Sequence, residues 1–160
     1  MHPAIETIFD EAENRYLKPE ELGVLNTYVE SLPERMETYR LIRDQEIEVM
    51  QHVADQLESR FTDKSQAVLE RCLRNALLVM RYASMSMLLN DESFLTNRLV
   101  KWLEETASVY ETRDIDTALY QSLNQRLSEI LTQDQVSLIR PHLTSAEKAV
   151  VSPLKSEAKV

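Results

Sequence analysis

A single glycine, Gly23, stands in 160 residues, where average usage of about 7% would place roughly eleven. Phosphate-cradling loops, dinucleotide fingerprints and nucleophile elbows all need glycine for tight turns or close backbone approach. This chain has the means to build none of them. Sheet proteins also draw on glycine at their turns, so the shortage favours helices. Hydrophobic residues make up 43% and charged residues 28%, the balance of a folded domain rather than a disordered tail. The length suits one domain over residues 1–151, followed by a polar tail at 152–160.

The formal charge is −9. That disfavours nucleic acid, because phosphate neutralisation needs a surplus of Lys and Arg. One cysteine, Cys72, excludes an internal disulfide and a cysteine-based zinc site, and it fits a reducing compartment. The start, Met1-His2-Pro3-Ala4-Ile5-Glu6, lacks the basic and apolar regions of a signal peptide. The most apolar run, Ala76 to Leu89, has 14 residues and carries Arg81, too short and too charged for a membrane span. The expectation is a soluble cytoplasmic protein without membrane insertion.

Helical spacing runs through the chain. Ile5, Ile8, Phe9, Ala12 and Tyr16 form one stripe. Pro19 suits the first turn of a second helix with Leu22, Leu25, Tyr28, Val29 and Leu32, and the two predict an N-terminal helical hairpin. Ser31 to Glu34 reads as a capping box with Pro33 inside the first turn, predicting a new helix to about Phe61 along Met36, Tyr39, Ile42, Ile47, Met50, Val53 and Leu57. The next helix, about Ser65 to Asn90, is apolar on nearly every side from Ala76 onward, which predicts the buried spine of the fold. Asp91 and Asp114 read as caps of two further helices. Thr132 with Gln135 reads as a capping box for a last helix that Pro141 should kink or end near Arg140. The prediction is all-α, with crossing helices packed in a globin-like way.

Most chemical constellations are missing. Di-iron bundles need paired Glu-x-x-His motifs, but the residues three before His52 and His142 are Val49 and Ile139. No His-Glu-x-x-His exists for zinc. His52 could ligate haem, although a lone helical histidine beside Gln51 is ordinarily a surface residue. Glu20-Glu21 and Glu104-Glu105 read as solvated faces. No base is named for Cys72, so no nucleophilic enzyme is expected, and a buried inert thiol is the plain reading.

The segment Arg71-Cys72-Leu73-Arg74-Asn75, with Arg81 and Asn90-Asp91 after it, resembles the phycobiliproteins of the phycobilisome, such as allophycocyanin and phycocyanin subunits. Their central helix carries Cys-x-Arg-Asp, a later Arg, and a Gly-Asp end. Cys72, Arg74, Arg81 and Asp91 match, whereas Asn75 and Asn90 depart. Independently, the run from Glu11 to Leu22 looks like the family's acidic-Ala-Glu-x-Arg-Tyr-Leu-x-Pro-x-Glu-Leu hairpin. Leu103-Glu104-Glu105-Thr106 is a weaker third likeness.

The resemblance implies a phycocyanin-type globin fold, a light-harvesting antenna role and assembly with a homologous subunit or a second copy. Glu11, Arg15, Tyr16 and Arg81 would form the subunit interface, with the hairpin acid of one subunit facing the central-helix Arg of the other. Arg81 interrupts an apolar helix, and a buried charge needs a partner; an intrachain pair or a snorkelling side chain is the other reading. The resemblance also implies a bilin, an open-chain tetrapyrrole, bound covalently at Cys72, with Arg74 on a propionate and residue 75 beneath the rings. Asn75 keeps an acceptor but loses the charge. Leu77, Leu78 and Val79 stand at the positions of a further acid and tandem tyrosines, and Ala107 at that of a later tyrosine. The alternative is a chromophore-free interaction or regulatory protein using the same assembly surface. Within a phycobilisome, either would sit at the periphery of the thylakoid membrane.

Overall fold

The computed structural model describes residues 2–151, the side chains of 107, 108 and 110 excepted, so the tail at 152–160 lies outside the described residues. Among them there are helices and no strands: α1 (Pro3–Glu11), α2 (Pro19–Arg60), α3 (Gln66–Leu89), α4 (Glu92–Leu95), a π-helical turn (Thr96–Val100), α5 (Lys101–Tyr110), α6 (Arg113–Ile130) and α7 (Gln133–Val151). The all-α expectation holds.

α3 is the spine. Leu69, Cys72, Ala76, Val79, Met80, Ala83 and Met87 point into a single core, where they meet Val49, Val53 and Leu57 of α2, Leu119 and Leu123 of α6, and Leu143 and Ala146 of α7. The burial is not all-round. Arg74 and Arg81 are exposed, and Leu77 and Leu78 are half-buried. Ser65 caps the start of α3 by accepting from Val68 N, and Asn90 ends it in the left-handed region at φ 51°, a conformation that Asn tolerates better than most residues.

Three predicted helix boundaries are corrected. α2 runs unbroken through Pro33. Ser31 is not a cap there: its hydroxyl donates to Tyr28 O at 2.9 Å and accepts from Arg35 Nε at 3.2 Å. α7 likewise runs through Pro141. In both cases the proline and the residue four before it, Val29 or Ser137, are exposed. The carbonyl left without an N–H donor lies on the wet side of its helix, while the opposite side is held in the core. The helix after Asp91 begins as predicted, with Asp91 accepting from Ser93 N at 3.0 Å. The predicted Asp114 cap is the third correction: Thr112 precedes that helix, and Asp114 sits in its first turn. The Thr132–Gln135 box forms reciprocally, Thr132 N to Gln135 Oε1 at 3.0 Å and Gln135 N to Thr132 Oγ1 at 3.2 Å.

Two charged or polar side chains fasten the corner where α3 ends. Arg35 is 1% exposed. Its guanidinium donates to Leu88 O and, at 2.9 Å, to Tyr28 O, and it lies 4.7 Å from the Tyr28 ring centre. A cation at a helix C-terminus also meets the negative end of the dipole. His142 of α7 sits 2.8 Å from Ser86 Oγ, which in turn donates to Asp91 O at 2.6 Å. Since that hydroxyl proton is spent on Asp91, His142 Nδ1 is the donor to Ser86. Burial holds the His142 pKa below its ordinary value.

The N-terminal hairpin forms, but its buried side is narrow. Only Ile5 of α1 is fully buried; Phe9, Leu22, Val24 and Val29 are exposed, and Tyr16 is 98% exposed because the chain leaves the helix before reaching it. On α2, Met36 and Ile47 are exposed as well, and the buried row is instead Arg35, Thr38, Ile42, Val49, Val53 and Leu57.

Candidate functional site

Cys72 lies on the inner side of α3, 3% exposed, opposite α6. Thr112 precedes α6 and Asp116 stands in its first turns, so their side chains meet the thiol. Thr112 Oγ1 donates to Asp116 Oδ2 at 2.7 Å, and the Cys72 thiol donates to the same carboxylate. Burial pushes the thiol up to about 11, and the Asp116 charge beside it adds to that. Burial also raises Asp116 itself, with the Thr112 and Cys72 hydrogen bonds acting against the rise. The result is a protonated thiol at neutral pH, the opposite of the electropositive setting that activates cysteine.

The free space beside Cys72, walled by Asn75, Leu103, Thr106, Thr112, Asp116 and Tyr120, is about 20 Å³. That volume suits one water. Small-molecule sites occupy about 300–1,000 Å³. A covalent tetrapyrrole therefore does not fit the thiol as this chain is folded.

Arg74 is on the other side of the helix. With Asn75, Leu77, Leu78, Arg81 and Trp102 it lines an open groove of about 590 Å³ between α3 and α5. Asn75 alone of the three expected cofactor residues touches both spaces. Leu77 and Leu78 form groove wall and Val79 is buried in the core; the side chain of Ala107 lies outside the described residues.

Arg15 makes a two-pronged pair with Glu21 at 2.8 and 2.9 Å, and Glu21 Oε2 also accepts from Lys18 N at 2.7 Å. The Arg15 pair and the Lys18 bond lower the Glu21 carboxyl to about 2, so these residues clasp the turn into α2. Glu11 and Tyr16 are exposed. Arg81 is exposed rather than buried, and its guanidinium holds Glu46 of α2 at 2.6 and 3.0 Å. The intrachain pair is thus the observed one.

His52 lines a groove between α2 and α6 with Gln121, Gln125 and Glu129, and the described residues contain no metal-holding cluster of His, Cys, Asp and Glu. No helix among them is long and apolar enough to cross a membrane. Sequence reasoning missed Asp116, Thr112 and Arg35. Each is a polar residue on or beside an amphipathic helix, and only the packing shows which of these point inward.

A model described as phycobilisome protein matches residues 9–150. The chain belongs to the phycobilisome protein family. Its members are structural subunits of the light-harvesting antenna rather than enzymes, and the antenna is built by assembling such subunits. Among curated proteins none matches the chain. The helical hairpin, the central helix and the helices crossing it form the globin-like arrangement of this family.

Proposed function

We propose that this chain is a chromophore-free phycobilisome-family protein that acts by assembling with a homologous subunit or a second copy of itself. The observation that carries the reading is the water-sized space beside a buried, protonated Cys72. The assembly surface is the N-terminal hairpin together with the Arg81 side of α3. Phe9, Leu22, Val24 and Val29 of the hairpin are each exposed, and exposed apolar side chains that gather into a patch mark interaction sites. Glu6, Asp10, Glu11 and Glu13 make the hairpin acidic; on the receiving side Arg43 and Arg81 are held by Asp44 and Glu46, so an incoming acid would share their guanidinium groups with those carboxylates.

Co-expression with a bilin-synthesising pathway and a bilin lyase tests the pigment half. The expected product, after denaturing electrophoresis, shows no covalent visible absorbance. Pigment that is covalent in the wild type and lost in Cys72→Ala overturns the reading and restores an antenna subunit carrying a bilin. For the assembly half, Arg81→Glu is expected to convert an oligomer to monomers by light scattering, because it sets acids against Glu46 and against the incoming hairpin. An oligomer of unchanged mass removes Arg81 from the interface.

A further inference from the structure

The groove between α2 and α6 shares no residue with the space beside Cys72, with the Arg81 side of α3 or with the hairpin. Its volume, about 320 Å³, is at the lower end for small-molecule sites. Helical spacing sets His52, Gln56 and Ser59 along one wall and Gln121, Ser122 and Gln125 along the other. None of these six side chains is hydrogen-bonded to another described residue. Ser122 is the telling case. The other serine and threonine hydroxyls of α6 turn back onto the carbonyl four residues earlier, Thr117 on Arg113 O at 2.7 Å and Ser128 on Asn124 O at 2.9 Å. The half-buried Ser122 hydroxyl does not, and is left for the groove. The fixed charges are one of each sign: Arg60 lies over the Phe61 ring at 5.7 Å, and Glu129 is paired with Arg126 at 2.7 Å. The floor is Leu57 and Ala118, both buried, and no Phe, Tyr or Trp lines the walls.

We infer that this groove binds a neutral polyhydroxylated molecule, a mono- or disaccharide, with a C–H face of the ring on Leu57 and Ala118 and its hydroxyls on the amides and hydroxyls of the walls. A sugar hydroxyl and a carboxamide each donate and accept, so the two sets satisfy one another. An acyl chain or a flat aromatic would leave those polar groups without partners, and balanced charges select neither an anion nor a cation. Water serves the walls in the free protein and the sugar replaces it in kind, so the hydrogen bonds give specificity and little net energy. Binding is accordingly weak.

Nuclear magnetic resonance reads the groove directly, because the carboxamide N–H signals of Gln56, Gln121 and Gln125 come from its walls. The probes are the methyl glycosides of glucose, galactose and mannose, with sucrose as the disaccharide. At least one is expected, at millimolar concentration, to shift these signals saturably while those of Gln66 and Gln133, outside the groove, stay still. Tetrahydropyranylmethanol, the same ring stripped of its ring hydroxyls, is expected to bind at least tenfold more weakly. Gln125→Leu and Ser122→Ala are each expected to weaken the sugar about fivefold, the factor for one neutral hydrogen bond, with unchanged circular dichroism showing that both fold. No saturable shift from any of the probes overturns the proposal. Equal binding of the stripped ring, or an affinity unchanged in both variants, overturns it too. So does a groove that answers to N-acetylglycinamide and not to the sugars, since it would then read peptide amides.

Discussion

Cys72 is sealed against α6 with room for one water, while Arg74, two residues further along the same helix, stands on the rim of an open groove. At about 100° per residue the two side chains diverge by roughly 200°. A motif that looks continuous in sequence is thus divided between the dry and wet sides of α3. Residue 75, at i+3 from the cysteine, returns to the inner side and is the one position of the three that borders both. The inner side is specified by packing; the outer side carries Arg74, Arg81 and the lone tryptophan along an open groove.

The sharpest way to break this contrast is by truncation. Leu69→Ala on the inner side is expected to cost about 2–5 kcal/mol in chemical denaturation, the range for a core leucine. Leu78→Ala on the outer side is expected to cost under about 1 kcal/mol, since it is only half-buried and leaves no enclosed cavity. Equal losses would mean that the groove is closed.

Alkaline titration separates the sides next. The Cys72 thiol ionises near 9 when unfolded and only near 11 when folded. Its contribution is therefore fully present below pH 9 and is lost as pH rises from 9 to 11. At about 1.4 kcal/mol per pH unit, the loss is about 2–3 kcal/mol. Cys72→Ala should remove that part of the pH dependence, and a slope unchanged by the substitution would show that the thiol is not buried against α6. His142 acts with the opposite sign. Its lowered folded pKa gives stability that is present above pH 6.5 and lost as pH falls below it, and His142→Gln should flatten that acid limb.

The spine at Ala76 to Leu89 was legible in sequence because its apolar run left little polar side to expose, and the hairpin was legible from its Glu11–Leu22 pattern. Asp91 and the Thr132–Gln135 box were legible because caps are local chemistry. Pro33 and Pro141 misled because a local rule was applied where tertiary packing of the opposite helix side decides. Arg35 and Asp116 were unreadable for the same reason: Arg35 finds Leu88 O across 53 positions, and no spacing rule reaches that far. At the site, the presence of Cys72 and Arg74 was visible, but their separation needed the position of α6. Asn75 in place of an acid was visible locally and borders the inner space, whereas Leu77 and Leu78, in place of polar residues, line the outer groove.

The smallest expected change comes from Asp116→Asn. Removing the charge beside the thiol should lower its pKa modestly while burial still holds it above 9, visible as a small shift in the thiolate absorbance titration. A drop below 9 would make Asp116, rather than burial, the main cause.

The most direct measurement is the rate at which a small disulfide reagent labels Cys72 in the native protein and in concentrated urea, with Arg74→Cys in a Cys72→Ala background as the outer-side control. A sealed thiol should react at least about a hundredfold more slowly in the native fold than in urea, since labelling awaits an opening of the structure, while the residue 74 thiol reacts at nearly its unfolded rate. Native labelling of Cys72 within a fewfold of the urea rate would contradict the sealed site and with it the chromophore-free reading.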